Sequence, residues 1–248
     1  MFGTGFGDVV LRGTQTIETG GTAVGAAVSS GGQQVVSGVT TGTVILSSGL
    51  ETISSGGVAT GTTVLNGGHE VVSSGGVADA TVVSSGGTLG VVRGGTASGT
   101  MVLDGGHEIV SSGGFEAVAT LTSGTLEVSS GGSVGAVLFG DGGILQLDAL
   151  VAFGGTISGF HFGDQIDLRG LAFTSGKDTL SWTQLASGAN ASGTLTVTSG
   201  AKIETLTLLG QYAVADFAAG SDGHSGTLIT DTSSVSSAVT MPLVAHQG

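Results

Sequence analysis

Short glycine-containing turns recur through the first 143 residues at two alternating intervals. We take the second residue of each turn as Gly21, Gly32, Val39, Leu50, Gly57, Gly68, Gly76, Gly87, Gly95, Gly106, Gly114, Thr125, Gly132 and Gly143. Steps of 11 residues alternate with steps of 7 or 8, so a unit of 18 or 19 residues recurs about seven times from Thr14 to Gly143. A unit this short cannot bury an apolar face alone, so successive units must stack.

Each unit contains apolar positions that predict two short strands. Each unit has a longer half, the 11-residue step, and a shorter half, the step of 7 or 8. In the longer half the seventh position is apolar in every copy: Val28, Leu46, Val64, Val83, Val102, Leu121 and Phe139. The fifth position is mostly small or β-branched: Ala26, Val44, Thr62, Thr81, Thr100, Ala119 and Val137. In the shorter half the third position gives a second row, which Gly90 interrupts: Ile17, Val35, Ile53, Val71, Ile109 and Val128. A spacing of two residues places side chains on one face of a strand.

These patterns predict an all-β chain, a parallel β-solenoid of about seven coils followed by a small β module that contains a hairpin. At about 4.8 Å per coil, seven coils make a rod roughly 34 Å long. Independent strands in a β-sandwich are the alternative, but they would not require the alternating intervals. The predicted divisions are a lead-in (1–13), the solenoid (14–143), a C-terminal β module (144–232) and a flexible tail (233–248). The predicted hairpin runs from Thr194 to Gly210 and turns at Ser199-Gly200.

Composition favours a folded chain and disfavours one class of partner. The 248 residues include 50 glycines, one proline and no cysteine, but 39% are hydrophobic and only 9% are charged, which argues against disorder. The formal net charge of -13 disfavours nucleic acid, because a phosphate backbone would be repelled. Divalent cations and neutral sugars remain open as ligands.

The N-terminal stretch MFGTGFGDVVLRG lacks the basic and apolar regions of a secretory signal. No stretch approaches the roughly 18 apolar residues of a spanning helix, so we expect no membrane insertion. Either the chain is exported without an N-terminal signal or the sequence lacks its native ends.

The repeats resemble those of AIDA-type autotransporter adhesins of Gram-negative bacteria. The likeness rests on VATGTTVLNGGHEVVSSGG (58–76) and VSSGGVADATVVSSGG (72–87), and it covers Thr14 to Gly143. The resemblance implies a surface-exposed passenger engaged in adhesion and autoaggregation, with sugars on repeat Ser or Thr in some members. The family's passengers are followed by a membrane β-barrel of amphipathic strands, and SSVSSAVTMPLVAHQG at the end of this chain does not match one.

Two stretches of the C-terminal third resemble other secreted proteins. ISGFHFGDQIDLRGL (157–171) looks like the segment that follows the calcium repeats of RTX-type proteins, which are secreted by type I machinery. DGHSGTLITD (222–231) resembles a module that ends large alphaproteobacterial surface proteins. Type I export needs no N-terminal signal, which agrees with the N-terminal sequence.

Aspartates in glycine-rich turns are the candidate calcium ligands. Calcium takes six to eight oxygens, which flexible turns can supply. The candidates are Asp141, Asp164 and Asp167, with Asp148 and Asp222 in similar turns. The RTX nonapeptide G-G-x-G-x-D is absent from the sequence, so solvated turn aspartates are the favoured interpretation. We therefore predict no cofactor, and calcium is left open as an alternative.

A His-Glu pair occurs twice, at His69-Glu70 and at His107-Glu108. The repeat places the two histidines two coils apart, about 9.6 Å, with Thr88 between them. That separation prevents a shared zinc, whose ligand nitrogens lie at about 2 Å, and neither copy matches H-E-x-x-H. The alignment places Glu51 beside His69 and Glu108 beside Glu127, which leaves a loosely held cation or a raised pKa open at these positions. Exposed polar residues on a variable row are the favoured interpretation.

Catalysis has little support in the sequence. Serines are abundant and His161, His224 and His246 are present, but no nucleophile elbow of strand, turn and helix occurs. Lyases and epimerases on β-helices use a basic residue with His or Tyr, whereas this chain has five scattered basic residues and one tyrosine, Tyr212.

The leading hypothesis is therefore a non-enzymatic extracellular or cell-surface protein, a rigid rod for adhesion, autoaggregation or biofilm matrix. Self-association, including end-to-end filaments, and binding of host or bacterial surface glycans are the expected interactions. The alternatives are a carbohydrate-active β-helix enzyme and a calcium-dependent secreted module.

Overall fold

The computed structural model describes residues 3–148 and 153–233. Strands dominate these residues, and two 3-10 turns occur at Gly188–Asn190 and Val214–Asp216. The first half contains β1 (Thr4–Phe6), β2 (Val9–Leu11), β3 (Thr14–Ile17), β4 (Thr22–Val24), β5 (Ala27–Ser29), β6 (Gln33–Val36), β7 (Val39–Thr41), β8 (Val44–Ile45), β9 (Leu50–Ile53), β10 (Val58–Thr60), β11 (Thr63–Val64), β12 (His69–Val72), β13 (Val77–Asp79), β14 (Val82–Val83) and β15 (Thr88–Val91). The second half contains β16 (Thr96–Ser98), β17 (Thr100–Val102), β18 (His107–Val110), β19 (Phe115–Thr122), β20 (Thr125–Val128), β21 (Ser133–Asp141), β22 (Ile144–Leu147), β23 (Thr156–Ser158), β24 (Gln165–Leu168), β25 (Thr179–Ala186), β26 (Ser192–Ser199), β27 (Lys202–Leu209), β28 (Phe217–Ser221) and β29 (Thr227–Asp231).

The strands wind into a parallel β-solenoid, which confirms the predicted fold class. In a typical coil two short strands such as β10 and β11 belong to a first sheet, and the next strand, β12, belongs to a second sheet. In the second sheet nine strands pair in parallel: β3, β6, β9, β12, β15, β18, β20, β22 and β24. Nine stacked strands correspond to about eight turns of the solenoid, one more than the repeat pattern predicts.

The core is a set of inward-facing rows that run from coil to coil. In the second sheet the buried row is Ile17, Val36, Ile53, Val72, Val91, Val110 and Val128. The sequence prediction was wrong in three copies, since Val35, Val71 and Ile109 are only partly buried and face outward. Each of these residues precedes a second apolar residue, as in Val71-Val72. With two adjacent apolar residues the period alone does not show which one faces the core.

The register is set by a glycine at the end of each turn. The glycines stand at Gly38, Gly49 and Gly124 where the sequence prediction placed Val39, Leu50 and Thr125. A Cβ on Gly49 would lie 2.3 Å from the Val28 carbonyl oxygen of the preceding coil, and one on Gly38 would lie 2.4 Å from the Glu18 oxygen. The chain approaches the coil below too closely for any side chain, so these turns end one residue earlier than predicted.

Antiparallel strands cover the C-terminal edges of both sheets. In the first sheet β27 pairs in parallel with β23, and β26 and then β25 follow in antiparallel order. In the second sheet β29 pairs antiparallel with β24, and β28 pairs with β29. The predicted hairpin is confirmed as β26 and β27. The edges of β23 and β24 are already paired, so a second copy of the chain cannot bond to them. Head-to-tail stacking of two copies would have to use the outer strands β25 and β28.

The parallel ladders extend beyond both predicted limits of the repeat domain. They begin at Thr4 in β1, ten residues before Thr14, and they continue past Gly143 to Leu168 in β24. The weaker glycine pattern at the two ends hid these coils. Apart from Ser233, the predicted tail lies outside the described residues. Within residues 3–148 and 153–233, no helix has the length and apolarity to cross a membrane.

Replacing Gly95 by alanine is expected to destabilise the solenoid by about 2 kcal/mol or more, because overpacking against fixed backbone is poorly tolerated. A Cβ there would lie 2.1 Å from the Val72 oxygen and 2.5 Å from the Val72 carbonyl carbon. The matched control is Gly90→Ala in the same coil, where the nearest atom is 3.9 Å away. Urea denaturation compares the two variants, and equal midpoints would contradict the register argument.

Candidate functional site

The most unusual chemistry in the structure lies inside the solenoid. In the second sheet the second residue of each strand faces the interior. In five successive strands it is Gln34 in β6, Glu51 in β9, Glu70 in β12, Leu89 in β15 and Glu108 in β18. All five side chains are 0% exposed. Glu116 in β19 is also fully buried and belongs to the facing first sheet. We call Glu51, Glu70, Glu108 and Glu116 the acid seam.

Strand alternation forces these glutamates inward. Glu70 and Val72 are two residues apart in β12, so both face the interior, while His69 and Val71 face outward. The same alternation applies to Glu108 and Val110 in β18.

A column of buried threonines runs beside the acid seam and supplies its hydrogen bonds. These threonines are Thr40, Thr43, Thr62, Thr81 and Thr100. The hydroxyl of Thr40 donates to Glu51 Oε1 at 2.9 Å and that of Thr62 donates to Glu51 Oε2 at 3.1 Å. Thr43 donates more weakly to Glu51 Oε1, at 3.4 Å. Glu51 therefore has a donor on each carboxyl oxygen.

Glu70 lies one coil above Glu51 and has no such donors. Both of its carboxyl oxygens and the hydroxyl of Thr81 are buried, and none of them has a partner within hydrogen-bond distance. The hydroxyls of Thr81 and Thr62 lie near enough to oppose the rise of the Glu70 pKa, but they do not cancel it. A buried polar group without a partner is costly, and a buried unpaired charge is more so.

A second carboxyl pair lies further along the rod. Glu116 accepts a hydrogen bond from the Thr100 hydroxyl at 3.0 Å and another from the Val118 backbone N–H at 3.0 Å. Both oxygens of Glu108 are buried without a hydrogen-bond donor, and the Glu116 charge acts on this carboxyl. Leu89 separates Glu108 from Glu70, so the acid seam consists of two pairs.

Burial raises the pKa of every carboxyl in the acid seam. Desolvation is the main cause for Glu51, whose pKa rises to about 7 against the opposing effect of its threonine donors. Burial and then the Glu51 charge raise the pKa of Glu70. Burial and then the Glu116 charge raise the pKa of Glu108, and burial also raises that of Glu116. The ordinary value is 4.5, so at neutral pH these groups favour the protonated form far more than a surface glutamate does.

The sequence prediction placed Glu51 beside His69 and Glu108 beside Glu127, and both placements were wrong. Glu51 pairs with Glu70, because the turn at Gly49 ends one residue earlier than the alignment assumed. Glu108 pairs with Leu126, because the same shift occurs at Gly124. The interpretation of Glu70 and Glu108 as exposed was also wrong. The available signal was Val72 and Val110, which follow each glutamate by two residues.

The histidines of these strands lie on the outer surface, as predicted. Thr88 pairs with both His69 and His107, which confirms their separation by two coils. His107 Nε2 lies 3.6 Å from Glu127 Oε2. The pair is a weak, partly exposed contact between neighbouring coils, and such contacts contribute little stability.

The predicted calcium ligands occupy three different environments. Asp141 is exposed, whereas Asp164 is buried and accepts hydrogen bonds from the backbone N–H of Gly143 at 3.1 Å and of His161 at 3.0 Å. Asp164 also contacts the His161 ring. Asp167 is held by Arg169 Nε at 3.2 Å, and burial raises its pKa. In the part of the chain that the structure describes, no three His, Asp or Glu side chains converge as a metal site. Calcium binding therefore remains a prediction.

A regular feature of the outer surface is a serine ladder, which we define as Ser55, Ser74, Ser112 and Ser130. Each lies at the exposed corner of the turn that follows a strand of the second sheet. Backbone hydrogen bonds join successive corners, as from Ser55 N–H to the Ser74 oxygen at 3.1 Å and from Ser74 N–H to the Arg93 oxygen at 3.0 Å. Arg93 takes the place of serine in one coil. The hydroxyls therefore recur at about 4.8 Å intervals along one edge, with one double interval across Arg93.

Comparison with known proteins relates these coils to bacterial adhesins. Residues 72–132 match the AIDA family, described as the adhesin of a bacterial autotransporter system, probable stalk. A solved structure with 32% sequence identity and a TM-score of 0.50 is a TibA fragment that TibC has hyper-glycosylated. The match covers 65% of this chain and 66% of that chain, just under two thirds of its length. No curated protein matches the chain.

Thr62→Val is expected to destabilise the protein by about 1 to 2 kcal/mol, because Glu51 Oε2 loses its donor while remaining buried. Thr81→Val is the matched control one coil later, where the hydroxyl has no partner within hydrogen-bond distance and acts on Glu70 only at longer range, so a smaller loss is expected. Urea denaturation at pH 7 measures both. Equal losses of stability would show that the threonine donors do not support the acid seam.

Proposed function

We propose that the chain is a stalk-type passenger of a bacterial surface adhesin and has no enzymatic activity. The observation that carries the proposal is that the coils matching the adhesin stalk, 72–132, are also the regular centre of the rod. The likeness to the TibA fragment covers a larger share of the chain, 65%.

The architecture suits mechanical display better than chemistry at one centre. The acid seam is closed to solvent, so it cannot reach a substrate. The outer surface repeats the same short side chains at each coil, and identical weak contacts along a rod combine through effective concentration. Adhesion by many equivalent contacts is the function that this geometry supports best.

The likeness to autotransporter adhesins supports a cell-surface or extracellular location. Within the proposal, export without an N-terminal signal, autoaggregation and a role in biofilm matrix remain predictions. The route of export is tested separately from adhesion, by following the secreted chain in cells with and without type I export machinery.

We further propose the serine ladder as an acceptor of sugars. The TibA fragment is hyper-glycosylated by TibC, and exposed hydroxyls at regular intervals would allow one glycosyltransferase to modify successive coils in the same geometry. The buried threonines beside the acid seam have no access to an enzyme.

Beads coated with the folded chain are expected to bind cultured epithelial cells several-fold better than beads carrying the same chain denatured and coupled at equal density. Binding is expected to rise steeply with coating density, because the contacts are multivalent. Counting bound beads under gentle flow provides the measurement. Equal binding of folded and denatured coats would remove the adhesive assignment.

Coexpression with TibC is expected to add mass to the chain in whole sugar units. Replacing the four ladder serines by alanine is expected to reduce the mass gain, because the sugars attached to those serines are lost. Thr81→Val is expected to leave the mass gain unchanged, because the Thr81 hydroxyl is buried. Intact mass spectrometry measures both. An unmodified wild-type chain, or an undiminished gain in the quadruple variant, would contradict the acceptor assignment.

A further inference from the structure

We propose that the acid seam is a proton-binding site that fills as the solenoid folds. Each carboxyl pair, Glu51 with Glu70 and Glu108 with Glu116, takes up at least one proton at neutral pH. The folded centre of the rod is thereby stabilised by acid and weakened by alkali.

The first argument is the absence of a balancing cation among the described residues. Glu51 faces Thr40, Thr43 and Thr62, and its own charge acts on Glu70 in the next coil. The described ion pairs of the chain involve His107, His161 and Arg169 with aspartates or Glu127 and do not include a seam carboxyl.

The ionisable groups around the second pair lead to the same conclusion. Glu108 faces Glu116 and Thr100, and the more distant Glu70 also acts on it. His69 and His107 belong to the same strands as Glu70 and Glu108, but alternation places them on the outer face. Four negative charges would therefore have no positive partner in the interior.

The second argument is the lack of hydrogen-bond donors for half of the acid seam. Glu51 and Glu116 receive hydrogen bonds, as ionised carboxylates require, whereas no donor lies within hydrogen-bond distance of either oxygen of Glu70 or Glu108. At Glu70 the nearby hydroxyls of Thr62 and Thr81 oppose the rise of the pKa without cancelling it. Within each pair one carboxyl is thus built as an acceptor, and its neighbour can donate only if it carries a proton. Two adjacent buried carboxyls that cannot both ionise share a proton.

The third argument comes from the other coils. At the seam position the chain uses Leu89, Leu126 and Leu145 in neighbouring strands, all fully buried. Leucine therefore satisfies the packing at this position, so the glutamates are not needed to fill the interior. Compared with a coil that has leucine at this position, a coil with glutamate gains a side chain that can bind and release a proton.

Leu89 also separates the two pairs, so that Glu70 acts on Glu108 less than Glu116 does. Glu70 and Glu108 are separated by two coil spacings, about 9.6 Å. The pairs therefore act on the coils between Leu50 and Thr122, while the leucine coils from Leu126 onward and the C-terminal antiparallel strands contain no member of the seam. Alkali is expected to open the central coils first.

The direction in which stability changes with pH follows from the linkage between proton binding and folding. A carboxyl whose proton is held in the folded state and lost in the unfolded state lowers stability as pH rises above its unfolded pKa, here 4.5. For each such proton the ratio of folded to unfolded protein falls about tenfold per pH unit, until the folded group also ionises. One proton in each pair therefore predicts a fall of at least about 100-fold per unit between roughly pH 5.5 and pH 7, and Glu51, whose pKa is about 7, adds to this fall.

Urea unfolding from pH 5 to pH 8.5 tests this dependence in the full chain. Glu70→Leu and Glu108→Leu are each expected to reduce the fall by about tenfold per pH unit, and the double variant by about 100-fold, while the buried Glu51 and Glu116 keep their own contribution. Glu70→Gln and Glu108→Gln provide a second set that keeps the shape of the side chain. Glu18→Gln, at an exposed glutamate outside the acid seam, is the control and is expected to retain the wild-type slope.

The quantity compared is the difference in pH slope between the wild type and each variant, because the five histidines also titrate in this range. Proton uptake during refolding in weakly buffered solution at pH 7 gives an independent count, and the wild type is expected to take up about two more protons than the double leucine variant. Equal uptake, or equal pH slopes in both proteins, would overturn the proposal. Stability that follows sodium or calcium concentration and not pH would also overturn it, since the seam would then hold a metal cation.

Discussion

Close contact between a turn glycine and the carbonyl group of the coil below determines the stacking of this protein. At Gly95 the backbone lies so near Val72 that a Cβ would sit 2.1 Å from the carbonyl oxygen. Because equivalent contacts recur in nearly every coil, each strand lies directly over its predecessor with little freedom to slip. The strands of two to four residues in most coils could not hold that register through hydrogen bonds alone.

Fixed stacking places identical positions of the repeat above one another, and that includes positions occupied by like charges. Glu70 lies over Glu51 because both are second residues of strands that stack without offset. In a less regular fold the two carboxyls could turn towards solvent, but strand alternation and the neighbours Val72 and Ile53 keep them inside. The interior chemistry is therefore a consequence of the same contact that makes the rod regular.

The alternating turn intervals were sufficient to predict the solenoid, and the hairpin at β26 and β27 followed from clean alternation around Ser199-Gly200. The seam could not be placed from the same pattern. The turns at Gly38, Gly49 and Gly124 lack a glycine pair, so the alignment shifted by one residue and turned Glu51 outward. No sequence pattern pointed to Glu116, because the equivalent positions of the preceding coils are Ala59, Ala78 and Ala97. Only the three-dimensional structure places it opposite Glu108.

The turn-glycine contact also determines how such a chain can change in length. From Gly57 to Gly76 and from Gly76 to Gly95 the contact returns after 19 residues, and each coil bonds only to the coils above and below it. A duplication of 19 codons inserted between two turn glycines would therefore add one complete coil, about 4.8 Å of rod, without disturbing the covered C-terminal edge. Gene duplication in whole coils can thus adjust the reach of the rod in small, equal increments.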